Sequence, residues 1–211
     1  MEYLEHTYYL DYKSKEIQEL IEEFDTQDLS SKEKAIGWYY KVRDQWKYDP
    51  YSIHLSKEKY RASEVAKQDY GHCVDKSILL IAGLRALGIP ARIHLAKVKN
   101  HIAVERLTEK FGTNELAPHG MVDLFLEGKW LKVSPAFNKA LCEKCNVAPL
   151  DFDGEQDSMF HEYDRVGNVF MEYVEDYGHF EDVPFEFMIA TLETNYPDIM
   201  KISEGLEMLK V

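Results

Sequence analysis

The chain has 211 residues, 45% of them hydrophobic, with 14 Tyr, 10 Phe and 3 Trp, which suffices for one packed core and excludes disorder over most of its length. Acidic residues outnumber basic ones by 38 to 25, for a formal charge of -13; this balance repels phosphate backbones and anionic lipid, so neither nucleic-acid nor membrane partners are expected. The N-terminus has no basic-then-apolar leader, Arg85 interrupts the main apolar run at 78–89, and three cysteines are too few for a disulfide framework, all of which points to a cytoplasmic chain without a membrane span.

Residues 15–25 place Ile17, Leu20, Ile21 and Phe24 at helical spacing. Ser30 or Ser31 can cap a second helix, with Glu33 in its acidic first turn. That helix runs through Ala35, Trp38, Tyr39 and Val42 towards Trp46, and Asp49-Pro50 stops it. Residues 51–62 read as loop, and Ser63 opens a short helical turn. The next segment has the sharpest signal. It begins Gly71-His72-Cys73, is apolar almost all round from Ile78 onward, and ends at Gly88, with Pro90 beyond. A buried central helix with Cys73 in its first turn follows, closed by a left-handed glycine cap.

Strands come next. Residues 91–98 read as one strand and 99–118 as a polar connection. Residues 121–126 and 130–133 bracket Glu127-Gly128, a two-residue hairpin turn. A short helix is expected near 139–144, an acidic loop at 151–157, and helices near 184–193 and 199–209. The whole reads as α+β: a core over residues 1–140 and a C-terminal extension over 141–211 packed on it.

A thiol in the first turn of a helix meets the positive end of the helix dipole and unpaired amides, both of which favour the thiolate. Cys73 is therefore a candidate nucleophile. The hairpin register sets Met121 opposite Ser134 and makes His119 a diagonal neighbour of Ser134 on one face. An imidazole there can face one group across the hairpin and another above the sheet, as a thiol–imidazole pair with an orienting third group requires. Cys142-Glu143-Lys144-Cys145 has CxxC spacing, but neither a second pair nor a nearby histidine accompanies it, and chance spacing on a short helix is expected. The 151–157 segment lacks the offsets of an EF-hand loop and reads as a solvated turn. No metal or cofactor is expected.

Gly71-His72-Cys73, Asp75-Lys76, Leu79-Leu80 and the run from Leu84 to Arg92 resemble the nucleophile segment of the transglutaminase-like superfamily. There a Gly-x-Cys begins a helix and Arg-Ala-x-Gly-Ile-Pro-Ala-Arg leads into a strand. His119, the stretch 122–126, Gly128-Lys129-Trp130 and Val133-Ser134-Pro135 resemble its histidine strand and the strand after it. The likeness is clearest over residues 30–138. It implies a papain-type core in which the Cys-bearing helix packs on an antiparallel sheet, with Cys73 as nucleophile and His119 as base. It also implies a thiol-dependent reaction through a thioester on a peptide or protein amide, hydrolysis being favoured over transfer to an amine. The family's third member is an aspartate in a Val-Asp-Pro context, and Ser134 stands there in this chain. Serine accepts a hydrogen bond from imidazole but brings no charge to it. Asn138, Asp153 and Asp157 are substitutes for that role. The departure leaves a second expectation open, a binding module that keeps the cleft without catalysis. Nothing in the sequence speaks to oligomeric state.

Overall fold

A computed structural model describes residues 3–102, 104–159 and 162–197. Helix α1 (Lys15–Ile21) buries Ile17 and Ile21. Helix α2 (Ser31–Gln45) opens with a capping box: Ser30 Oγ accepts from the Glu33 amide, and the Glu33 carboxylate accepts from the Ser30 amide. Its end comes before Asp49-Pro50, because Lys47–Tyr48 (β1) leaves the helix to pair in parallel with Tyr70–Gly71 (β2). The stretch expected to be loop contains a single 3-10 turn, Lys57–Tyr60. Helix α3 (Ala62–Ala66) is capped at Arg61, and Ser63 lies inside it with its amide and hydroxyl donating to Asp11.

Helix α4 (Cys73–Ala86) is the axis of the fold, as its apolar circumference predicts. Residues Ile78, Leu79, Leu80, Ile81 and Ala82 have no exposed surface. Leu87 is its C-cap and Gly88 follows at φ 77°, the left-handed conformation that glycine adopts without strain. Helices α1, α2 and α3 pack on one side of α4 and a sheet on the other. The contact with α2 is close: Trp38 Nε1–H donates to Leu80 O at 2.9 Å, and a Cβ on Gly83 would collide with the Trp38 indole.

The sheet joins β3 (Ala91–Asn100), β4 (Glu115–Leu126), β5 (Lys129–Val133) and β6 (Met171–Phe180) in the order β5-β4-β3-β6, every pair antiparallel. The hairpin keeps the expected register, with Leu126 opposite Lys129 and Val122 opposite Val133. Glu127 and Gly128 sit at φ 48° and 86°, the two positive values of a type I′ turn. The 99–118 connection is more ordered than its polarity suggests. Strand β3 runs on to Asn100, α5 (Val104–Phe111) follows, and β4 starts at Glu115, so His119 lies well inside β4.

Beyond the hairpin, α6 (Lys139–Lys144) and α7 (Phe185–Asn195) fall where expected, while the helix expected at 199–209 lies outside the described residues. Strand β6 comes from the stretch read as an extension and forms an edge of the main sheet beside β3. On that sheet His94 bridges two other strands, with Nδ1 3.2 Å from Asp123 on β4 and Nε2 2.7 Å from Asp176 on β6. Burial opposes charge on this ring, but the hydrogen bonds to the two carboxylates outweigh it and hold its pKa above the usual imidazole value. Among the described residues no helix is long and apolar enough to cross a membrane.

Candidate functional site

Cys73 is the first residue of α4, with His72 as N-cap. Its thiol is 4% exposed and directed at β4: Sγ lies 3.9 Å from Pro118 O, and the Gly120 amide donates towards it. These are the two residues that flank His119, so the strand carrying the imidazole is also the strand the sulfur touches. Gly120 permits the approach. A Cβ at that position would sit 2.8 Å from Val74 Cα, closer than packed atoms tolerate, so any side chain would press strand and helix apart.

The electrostatics depart from the expectation at one point. The helix start and the amides of Gly120, Val74 and Cys73 pull the thiol towards ionisation, yet burial outweighs them and Asp75 adds a like-charge penalty. The Cys73 thiol is pushed up to about 11, so dipole and amides alone leave it protonated at neutral pH.

His119 is buried, opposite Ala96 of β3. Ser134 is buried just past the end of β5, and its backbone is fully engaged: its amide donates to Ser158 O, and its carbonyl accepts from Tyr39 Oη at 3.0 Å. The residues named as substitutes for the family's aspartate make the following contacts. Asn138 Oδ1 accepts from the Tyr48 amide at 3.1 Å and ties β1 to the start of α6. Asp153 Oδ1 closes its own turn through the amides of Glu155 and Gln156, and Asp157 Oδ1 accepts from the Lys132 amide on β5. The 151–157 loop is thus a turn braced on β5 and on Lys32, which reaches Glu155.

Cys73 opens on a cavity of about 30 Å³, lined also by His72, Tyr48, Tyr60, Pro118 and Tyr196. Met188, Leu192 and Tyr196, on and just after α7, cover it. Tyr196 Oη accepts from the Ala117 amide at 2.7 Å and donates to Glu115 O at 2.9 Å. This cover is not legible in the sequence, because the apolar face of α7 is the ordinary face of any packed helix. Tyr48, Pro50 and Leu116 also line a second, apolar cavity of about 190 Å³, with Phe137, Phe170 and Leu107 among its walls and Arg106 at its side. The two hollows thus share a wall.

Lys76 is the other feature missed. Its ammonium is wholly buried one turn into α4 and donates to Arg43 O, Trp46 O and Ala136 O at 2.8, 2.7 and 2.8 Å. It joins the end of α2, the start of β1 and the chain after β5 to the helix bearing Cys73. Burial lowers it to about 7. Cys142 of the CxxC spacing is buried on α6 and its thiol also rises to about 11, by burial first; none of the three cysteines is in a disulfide. Among the described residues no three His, Cys, Asp or Glu side chains are grouped to hold a metal.

The sequence profile of the transglutaminase-like superfamily matches residues 18–135, more than half of the chain. No curated protein matches it. Among solved structures, one from Cytophaga hutchinsonii titled a "Putative Cysteine Protease" aligns at 18% identity with a TM-score of 0.46, over 64% of this chain and 40% of its own.

Proposed function

Taking as premise that the chain belongs to the transglutaminase-like superfamily, we propose that Cys73 and His119 act together on peptide or protein amides through a thioester. One observation carries the reading: the sulfur at the first position of α4 is held between Pro118 O and the Gly120 amide, the immediate neighbours of His119. A thiol pushed up to about 11 does not wait as thiolate, so His119 removes its proton as the sulfur attacks the carbonyl carbon. The imidazolium then passes that proton to the departing amine, leaving the acyl group on Cys73. First-turn amides of α4, which have no partner within the helix, face the developing oxyanion. Water or an amine then releases the acyl group, with hydrolysis preferred. The adjoining apolar cavity suits a large apolar side chain of the substrate. Cysteines held as thiols agree with a reducing, cytoplasmic setting.

The test uses p-nitrophenyl acetate as an acyl donor of no particular specificity. Wild-type protein should release about one nitrophenolate per chain in a burst, with the acetyl group on Cys73 by peptide mass mapping. Cys73→Ala should show no burst, and His119→Ala should acylate roughly 100-fold more slowly. A second reading, a binding module without catalysis, is favoured by Ser134 at the family's aspartate position and by the covered thiol. Absence of both a burst and Cys73-dependent turnover in the wild type decides for it.

A further inference from the structure

The site holds a second imidazole. His72 Nδ1 lies 2.6 Å from Asp75 Oδ2 and 3.4 Å from the Asp75 amide nitrogen. One ring nitrogen cannot both donate to the carboxylate and accept from the amide, and the shorter contact decides: Nδ1 carries the proton and gives it to Asp75. Asp75 is itself 3% exposed and fixed by the His72 amide, which donates to the same oxygen at 3.1 Å. When the ring is neutral, this tautomer leaves its lone pair on Nε2. Among the described residues Nε2 has no hydrogen-bond partner, and His72 lines the cavity into which Cys73 opens.

The two histidines come from different elements around the sulfur. His119 belongs to the strand that the thiol touches. His72 lines the cavity beyond it, with the Tyr60 ring 6.1 Å away. Its carboxylate partner is the kind of orienting group that Ser134 does not supply to His119.

We propose that His72, aimed by Asp75, is a second acid–base group of this site, serving the step that discharges the acyl group from Cys73. The assignment rests on the thiol reading above. In that step Nε2 takes a proton from water or an amine as its oxygen or nitrogen bonds to the thioester carbon. The carbon–sulfur bond then breaks, and the departing thiolate recovers the proton from the imidazolium. Asp75 on the same helix, His54 from the preceding loop, the Cys73 thiol and the phenols of Tyr48, Tyr60 and Tyr196 are the titratable groups around the ring and its cavity. Asp75 is the carboxylate in direct contact with it.

The experiment separates acylation from discharge. Stopped-flow burst and steady-state turnover of p-nitrophenyl acetate are measured from pH 5 to 9 in wild type, His72→Asn and His119→Ala, with melting temperatures alongside. Asparagine is among the best N-cap residues, and its amide can still donate to Asp75, so helix and pair geometry are retained without a base. The expected result is a visible burst in His72→Asn followed by turnover about 100-fold slower, with the ionisation step of the wild-type turnover profile lost. A burst in the wild type, with His72→Asn turnover and profile unchanged, overturns this assignment and leaves the Cys73–His119 reading standing. A wild type with neither a burst nor Cys73-dependent turnover overturns both.

Discussion

At Cys73 two influences of opposite sign meet on one sulfur. The helix start and three amides favour thiolate, while complete enclosure favours thiol, and enclosure prevails. Iodoacetamide labelling of Cys73, followed by peptide mapping from pH 6 to 11, should therefore keep rising to a midpoint above 9. At pH 7 it should run at least about tenfold slower than labelling of an exposed cysteine. A rate already level by pH 7 would mean a preformed ion pair with an imidazole, and general-base removal of the proton would be wrong. The position of this residue was legible: Gly71-His72-Cys73 and the Gly88 cap bracket α4 as the sequence predicts. Its ionisation was not, because the neighbours that decide it arrive from β4 and α7, distant in sequence. The same holds for Ser134, whose register opposite the histidine strand could be read from the hairpin, whereas the Tyr39 and Ser158 contacts that fix its backbone could not.

Among the elements, α4 and the β4–β5 hairpin were legible because their signals are local: an apolar circumference, a glycine cap and a Glu-Gly turn. Strand β6 was not. It carries Glu172, Glu175 and Asp176 and presents mostly polar surface, so no alternation marks it, and only pairing with β3 makes it a strand. Composition and spacing assign Lys76 no task, and it proves to be a buried clasp between elements. Its three acceptors match the three N–H bonds of an ammonium, so Lys76→Met should strand three buried carbonyls and cost about 3 kcal/mol, partly offset by removal of a buried charge. Folded Lys76 titrates near 7 and an unfolded lysine near 10.4. Between those values the unfolded chain binds more protons, so the lysine's contribution to stability rises with pH across that window. Urea unfolding at pH 6.5 and 9.5 should thus show a wider gap between wild type and Lys76→Met at the higher pH. An equal gap at both would mean that the three carbonyls hold the lysine charged throughout.

For the whole molecule, α7, the last helix among the described residues, matters as much as the first half of the chain. Arg85 near the end of α4 donates to Ala91 O, Glu5 O and Glu181 O, so the N-terminal stretch and the segment between β6 and α7 are tied to the central helix, and α7 follows directly to lie over the thiol. Trimming that cover without unseating it should expose the sulfur. Leu192→Ala should raise the iodoacetamide labelling rate of Cys73 several-fold at pH 9 while costing about 2–5 kcal/mol of stability; an unchanged rate in a folded variant would mean that reagents reach Cys73 by another path. Tyr196 adds a mechanical consequence. Its hydroxyl grips the backbone at Glu115 and Ala117, just upstream of Pro118, His119 and Gly120. A door whose latch is fastened to the workbench cannot be opened without jolting the tools. Any substrate that lifts α7 to reach the sulfur must release Tyr196 from the strand that carries His119, so admission to the cavity and the setting of the imidazole are one event.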